Sequence, residues 1–207
     1  MKFPRTFAIA LVLVLACVSC ANLSRPSPKI EHYSLEYAPP SLERAPLPLA
    51  IRVERFSAAP LYDSRQIVYR EKPFSRDAYV YHRWRSAPAD LVTYFLARDL
   101  KASGLFAGVL PDDSRQSAAF SLEGSVDEFL ESDLEDGWEA VLSFSVTLCA
   151  AREPDVSKQI LFQKSYHATK PCKLKNPRAL AEAMSQAMSD LSAEVLKDVY
   201  KALEVRR

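Results

Sequence analysis

Apolar and polar residues alternate most regularly between residues 140 and 150. Because successive side chains of a strand point to opposite faces, this pattern predicts a strand with one buried face and one polar face. The buried set is Leu142, Phe144, Val146, Leu148 and Ala150. Six more segments are predicted as strands from alternation or from β-branched and aromatic content: residues 49–56, 66–70, 78–84, 105–110, 119–130 and 159–167. The alternation slips after Val126, which predicts a bulge or the end of that strand.

Two segments repeat apolar residues at helical spacing instead. The first has Ser86 as its predicted N-cap, Pro88 in its first turn and Gly104 as its predicted C-cap. The second starts with Asn176 as N-cap and Pro177 in the first position, and it runs to about residue 205. We expect its apolar stripe to pack into the core of the domain: Leu180, Met184, Met188, Leu191, Val195, Val199 and Leu203.

These elements predict one domain over residues 49–207, in which helices pack on the faces of a β-sheet. Residues 21–48 are rich in proline and serine, so we expect an extended tether in front of that domain. Within the tether, residues 33–35 form a small apolar island that is interpreted as a first edge strand.

Residues 1–20 have the pattern of a bacterial lipoprotein signal peptide. Lys2 and Arg5 precede a ten-residue apolar run that is too short to span a bilayer. Small residues and two cysteines follow, and either Cys17 or Cys20 is the predicted lipidated residue. The apolar residues before Cys17 favour that cysteine, whereas removal of Cys17 with the signal would leave an even number of cysteines.

The lipid would anchor the chain stably in a membrane, because each buried methylene contributes about 0.8 kcal/mol. Neither Val18 nor Ala21, the residues after the candidate cysteines, is the aspartate that retains many lipoproteins at the inner membrane. The expected location is therefore the periplasmic face of the outer membrane.

Composition removes several classes of function. When Lys2 and Arg5 leave with the signal, 25 of the 27 basic residues remain against 26 acidic ones, which does not favour nucleic-acid binding. Only four glycines are present, which argues against a glycine-rich phosphate loop. No nucleophile, metal or cofactor motif surrounds the three histidines, so we expect no catalytic residue, no metal and no cofactor. Cys149 and Cys172 remain as a pair that an oxidising compartment would allow to form a disulfide.

The order of several short motifs resembles a known family, the ABC-type transport auxiliary lipoproteins of the PqiC-like group. The motifs cover about residues 31–205, and none of them is unique by itself. They are Tyr33-Ser34-Leu35, Ile51-Arg52-Val53, Ile67-Val68-Tyr69-Arg70, Tyr79 with Tyr81 and Trp84, Ala87-Pro88, the helix with Leu91, Phe95, Leu96 and Leu100, Gly104-Leu105-Phe106, and Leu122-Glu123-Gly124-Ser125-Val126.

This resemblance implies a three-layer α/β/α domain with a mixed sheet. It also implies an accessory subunit that works with an MCE-domain protein (MlaD- or PqiB-like) and its ABC transporter, which move lipids or other hydrophobic molecules across the envelope. The hypothesis is a membrane-anchored adaptor without catalytic activity, and a ring-shaped partner would suit a homo-oligomer. A lipid-binding carrier and a structural lipoprotein for envelope assembly remain as alternatives.

Overall fold

The structure is a computed structural model that describes residues 28–206 except residue 152. The described residues form nine strands: β1 Glu31–Tyr33, β2 Leu47–Val53, β3 Ser57–Ala58, β4 Gln66–Arg70, β5 Asp77–Trp84, β6 Phe106–Pro111, β7 Phe120–Leu134, β8 Gly137–Ala150 and β9 Ile160–Pro171. The helices are α1 Pro88–Ala102, the short α2 Val156–Gln159 and α3 Pro177–Glu204, with a 3-10 turn at Pro60–Tyr62. All the predicted strands and both predicted long helices are therefore present.

The long strand β7 organises the sheet. Along one side it pairs antiparallel with β8, which pairs in turn with β9. Along its other side it pairs in parallel with β2, β3 and β4 in succession. The sheet then extends from β2 to β6 and from β4 through β5 to β1. The predicted mixed sheet in a single mixed α/β domain is confirmed, and the sheet is curled.

The predicted break in alternation after Val126 is a bulge between Val126 and Glu128. The bulge moves the core-facing position by one residue along β7, so that Val126 lies opposite Phe144 and Phe129 lies opposite Leu142. All four of these side chains are buried. The extra residue thus lets one long strand keep its apolar residues against the same core over its whole length.

Both long helices begin with a proline, as predicted. Asn176 caps α3, and its Oδ1 accepts a hydrogen bond from the backbone N–H of Ala179 at 2.9 Å. Helix α1 starts one residue later than predicted, because Ala87 rather than Ser86 is its N-cap and no side chain caps it. Gly104 follows the end of α1 with a φ of +66°, the left-handed conformation that favours glycine after a helix.

The two long helices lie side by side on the same face of the sheet. Ser192 of α3 donates a hydrogen bond to Asp99 of α1 at 2.6 Å, and the whole predicted apolar stripe of α3 is buried. Over part of β7 and β8 the opposite face is an open cleft lined mostly by polar residues, among them Ser121, Glu123 and Gln163. The two long helices therefore form a layer over one face of the sheet.

The packed part of the chain begins before residue 49, the predicted start of the domain. Strand β1 pairs with β5, and Leu35 is buried in the core. Tyr37 stacks on Phe95 of α1 with ring centroids 5.1 Å apart. The apolar residues between the prolines thus hold residues 31–48 against the domain, so only the chain before residue 31 can serve as a free tether in this fold.

Gly124 allows a close contact inside the core. A Cβ atom at this position would collide with the Phe56 ring and with the carbonyl oxygen of Ser145. We expect Gly124→Ala to lower the free energy of unfolding by about 1–3 kcal/mol, the usual cost of overpacking, as measured by urea denaturation. Gly137→Ala is the control, because nothing lies within 4 Å of a Cβ there. Equal loss of stability in the two variants would contradict this account of Gly124.

Candidate functional site

The predicted lipidation sites, Cys17 and Cys20, lie outside the described residues. Of the helices in the described part of the chain, none is both long and apolar enough to cross a membrane.

The possible disulfide between Cys149 and Cys172 does not form in this fold. Cys149 lies near the end of β8, whereas the N–H of Cys172 bonds to the carbonyl of Trp138 at the start of the same strand, 2.7 Å away. The rise of a strand places these positions roughly 35 Å apart, far beyond the ~6 Å that a disulfide allows between Cα atoms. Both cysteines are free.

Neither free thiol is activated. Burial, followed by the charge of Glu131, raises the pKa of Cys172 to about 11. Burial and the neighbouring Glu123 carboxylate also raise the pKa of Cys149. The thiolate is the nucleophile, and the raised pKa values keep both side chains in the protonated thiol form at neutral pH.

A buried polar cluster fixes the segment that leads to the anchor, and we call it the clasp: Tyr37, Arg98, Asp99 and Ser192. Asp99 is only 1% exposed, and its Oδ2 accepts hydrogen bonds from the hydroxyls of Tyr37 at 2.7 Å and Ser192 at 2.6 Å. Its Oδ1 pairs with the guanidinium of Arg98, with the closest nitrogen 2.6 Å away. One carboxylate thus joins the N-terminal segment, α1 and α3.

Arg98 also contacts Tyr37 directly. Its guanidinium lies 4.3 Å from the centre of the Tyr37 ring and 4.5 Å from that of Phe95. It also donates a hydrogen bond to the backbone carbonyl of Tyr37 at 3.2 Å. Burial and the bond to Asp99 raise the pKa of Tyr37, so its hydroxyl stays a donor. The clasp therefore holds both the side chain and the backbone of Tyr37.

A second buried carboxylate, that of Glu131, lies near the C-terminal end of β7. Glu131 is 1% exposed, and its two oxygens accept from the hydroxyl of Tyr79 at 3.0 and 3.1 Å. The Tyr79 ring lies 4.8 Å from that of Tyr69 and 6.3 Å from that of Trp138. Burial raises the pKa of Glu131 to about 7, although the hydrogen bond from Tyr79 opposes this change. The group therefore gains or loses its proton near neutral pH.

Glu131 opens an acidic run over residues 131–136, a composition that is typical of a solvated turn. A signal for its burial was present in the slip after Val126, because the shifted alternation puts Phe129 and Glu131 on the same face of the strand. No local pattern predicted the clasp. Its four residues come from the N-terminal segment, α1 and α3, which are far apart in the sequence.

An exposed edge of the sheet is the third feature of interest. Among the described residues, β1 pairs with β5 only from His82 to Trp84. Residues 77–81 of β5 have no ladder partner on that side within the described chain, and Val80 and Tyr81 are 63% and 47% exposed. Such an edge can accept a strand from another protein.

Comparison with solved structures supports the fold. A Xanthomonas campestris protein described by the DUF330 family model superposes with a TM-score of 0.74 at 18% identity, covering 86% of this chain and 98% of that chain. An uncharacterised protein superposes with a TM-score of 0.65 at 14% identity, covering 83% and 99% of the two chains. No curated protein matches the chain in sequence.

The sequence model of the ABC-type transport auxiliary lipoprotein component family matches residues 33–196. This match extends from the edge strand β1 into the last third of α3 and includes every residue of the clasp. The resemblance seen in the sequence is thereby confirmed, and the chain belongs to the family of ABC-type transport auxiliary lipoprotein components.

Proposed function

We propose that this chain is an adaptor without catalytic activity, held by its lipid at the periplasmic face of the outer membrane. It would bind an MCE-domain protein of an ABC-type system that moves lipids or other hydrophobic molecules across the envelope. The observation that carries the proposal is the family match over residues 33–196. The clasp supports it, because it joins the anchored segment to both long helices.

The adaptor would work by holding its domain near the membrane in a defined orientation. From Cys17 or Cys20 to Glu31 the chain has 14 or 11 residues, which extend at most about 50 or 40 Å. Beyond Glu31 the segment is part of the sheet and then of the clasp. A force on the anchor would therefore act on the folded domain directly.

The exposed edge of β5 is the surface we propose for the transport partner. Its side chains Val80 and Tyr81 offer apolar and aromatic contacts, and its backbone groups can extend the sheet. A partner strand bound there would align with the domain in one register, since the side chains on an added strand must fit the pleat.

In-cell photo-crosslinking tests this function. We expect a photo-reactive phenylalanine analogue at position 81 in the full-length lipoprotein to capture an MCE-domain protein or its transporter, identified by mass spectrometry. The same analogue at Tyr94, an aromatic side chain of α1 that is 62% exposed, is the matched control. Capture of the transport partner at neither position would contradict the adaptor function, whereas capture of lipid alone would favour the carrier.

The carrier hypothesis places a lipid on the apolar face of the last helix or on residues 79–95. In this structure the helix face is packed against β8 and β9, with Met184, Met188 and Val199 completely buried. A carrier would have to separate α3 from the sheet to expose that face. An adaptor purified in its lipidated form should hold no lipid beyond its own anchor, and phospholipid retained in equal amount with the protein would favour the carrier.

A further inference from the structure

Three connections meet at one end of the sheet, and we call this end the sheet tip: residues 71–76, 133–137 and 172–176. Arg70 at the end of β4 lies beside Ser132 of β7. The Lys175 ammonium donates to the carboxylate of Asp133 at 3.2 Å and to the carbonyl of Leu134 at 3.1 Å. The connections β4–β5, β7–β8 and β9–α3 are therefore neighbours.

The sheet tip presents large apolar side chains to solvent. Phe74 is fully exposed, Leu174 is 66% exposed and Leu134 is 47% exposed. Phe74 also has a φ of +63°, a conformation that bulky residues seldom adopt. Because the Phe74 side chain is fully exposed, it makes no packing contact that would offset that cost. Apolar residues grouped on a surface in this way mark a binding site for a protein or a membrane.

The chain that comes from the anchor arrives at this same end. Strand β1 is parallel to β5, with Glu31 opposite His82 and Tyr33 opposite Trp84. Strand β5 starts at Asp77, directly after the first segment of the sheet tip. Residues 28–30 therefore lead from β1 back toward the sheet tip. From residue 28 to Cys20 or Cys17 there are only 8 or 11 residues, so the lipid lies at most about 30 or 40 Å away.

The charges of the sheet tip are balanced, which favours an apolar partner over a charged one. Its four basic residues are Lys72, Arg76, Lys173 and Lys175, and its four acidic residues are Glu71, Asp133, Glu135 and Asp136. A charged peptide or nucleic acid would find no net attraction there. The bilayer interface accepts aromatic and aliphatic side chains and does not require a net charge.

We propose that the sheet tip rests on the membrane that holds the lipid anchor, with Phe74, Leu134 and Leu174 inserted into the interface. This inference rests on the anchoring part of the proposed function, but it does not depend on the transport partner. The exposed edge of β5 begins at Asp77, directly beside the sheet tip, and leads away from the bilayer. The lipid and the three side chains together attach the domain to the bilayer at two places, which fixes its orientation.

Fluorescence quenching in vesicles tests the proposal. The full-length lipidated chain with Phe74→Trp is reconstituted into vesicles of phosphatidylethanolamine and phosphatidylglycerol, with or without bromine on the acyl chains. Relative to the unsubstituted protein, we expect the added tryptophan to emit at shorter wavelength and to lose intensity on bromination. Tyr94→Trp is the control, because Tyr94 lies on α1, which packs mostly against β6 and α3 and contributes no residue to the sheet tip.

The outcomes separate the two proposals. Bromine quenching of the introduced tryptophan in the Phe74→Trp chain supports insertion of the sheet tip, provided that the introduced tryptophan of the Tyr94→Trp chain is not quenched. Equal or absent quenching in chains that float with the vesicles overturns the insertion and leaves the anchored adaptor standing. Chains that do not float with the vesicles overturn both the anchor and the insertion.

Discussion

Replacing Asp99 by alanine should lower the free energy of unfolding by about 3–5 kcal/mol, the cost of removing one partner of a buried ion pair. The substitution leaves the partly buried guanidinium of Arg98 without its carboxylate. It also removes the acceptor shared by the hydroxyls of Tyr37 and Ser192. Urea denaturation of the purified lipoprotein in detergent, followed by circular dichroism, measures the change.

Asp90→Ala is the matched control on the same helix. Asp90 pairs with Arg55 at 2.8 Å, but the two side chains are 40% and 70% exposed. Exposed ion pairs contribute only about 0–1 kcal/mol, so this variant should remain close to the parent protein in stability. An Asp99→Ala variant that loses no more stability than Asp90→Ala would refute the clasp as a stabilising element.

Loss of the clasp should also release the anchored segment before the domain unfolds. Tyr37→Phe removes a single hydroxyl from the clasp and keeps the ring on Phe95 and under Arg98. Its cost should be about 1 kcal/mol, smaller than that of Asp99→Ala. Limited proteolysis should accordingly cut residues 34–46 fastest in Asp99→Ala, more slowly in Tyr37→Phe and slowest in the parent.

Replacing Glu131 by glutamine should stabilise the protein at pH 8 and leave it unchanged near pH 4. The pKa of Glu131 is about 7 in the folded chain, against the 4.5 that is usual for a glutamate side chain. Between pH 4.5 and about pH 7 the folded chain holds a proton that the unfolded chain has released. The free energy of unfolding therefore falls as the pH rises through this range. At about 1.4 kcal/mol for each pKa unit, the gain in Glu131→Gln approaches about 3 kcal/mol at pH 8.

The neutral amide keeps the hydrogen bond from Tyr79, because its carbonyl oxygen is an acceptor. Urea denaturation of both proteins at pH 4 and pH 8 gives the difference between their free energies of unfolding. All other groups titrate alike in the two proteins, so their contributions cancel in this difference. Glu123→Gln on the exposed side of the same strand is the control and should show little difference at either pH. A Glu131→Gln variant that is less stable than the parent at pH 8 would show that the ionised carboxylate is favoured instead.

The clasp and the Glu131–Tyr79 pair lie in different parts of the domain, and both positions suit an anchored adaptor. The clasp lies where the anchored segment meets α1 and α3. Glu131 and Tyr79 lie between the sheet tip and the core, close to the proposed membrane contact. Both carboxylates are buried and accept hydrogen bonds from hydroxyl groups, and such buried networks hold their elements in one arrangement. We expect a domain of fixed shape whose partners bind its edges.

The sequence was sufficient to predict those structural features whose signal is local or periodic. The alternation in β8, the slip after Val126 and the proline and asparagine at the start of α3 each depend on neighbouring residues. The buried stripe of α3 followed from helical spacing alone. The order of short motifs was also enough to identify the family, because each motif encodes one element and the elements follow in a fixed order.

The tertiary structure decided how distant segments meet. Tyr37 and Ser192 are 155 residues apart in the chain yet donate to the same oxygen of Asp99, and no periodicity relates them. Cys149 and Cys172 are close in sequence but lie at opposite ends of β8, because the hairpin with β9 runs the full length of that strand. The layer of two long helices and the grouping of Phe74, Leu134 and Leu174 likewise depend on which strands pair with β7. Strand pairing is a contact between distant residues, so its outcome is a property of the whole fold.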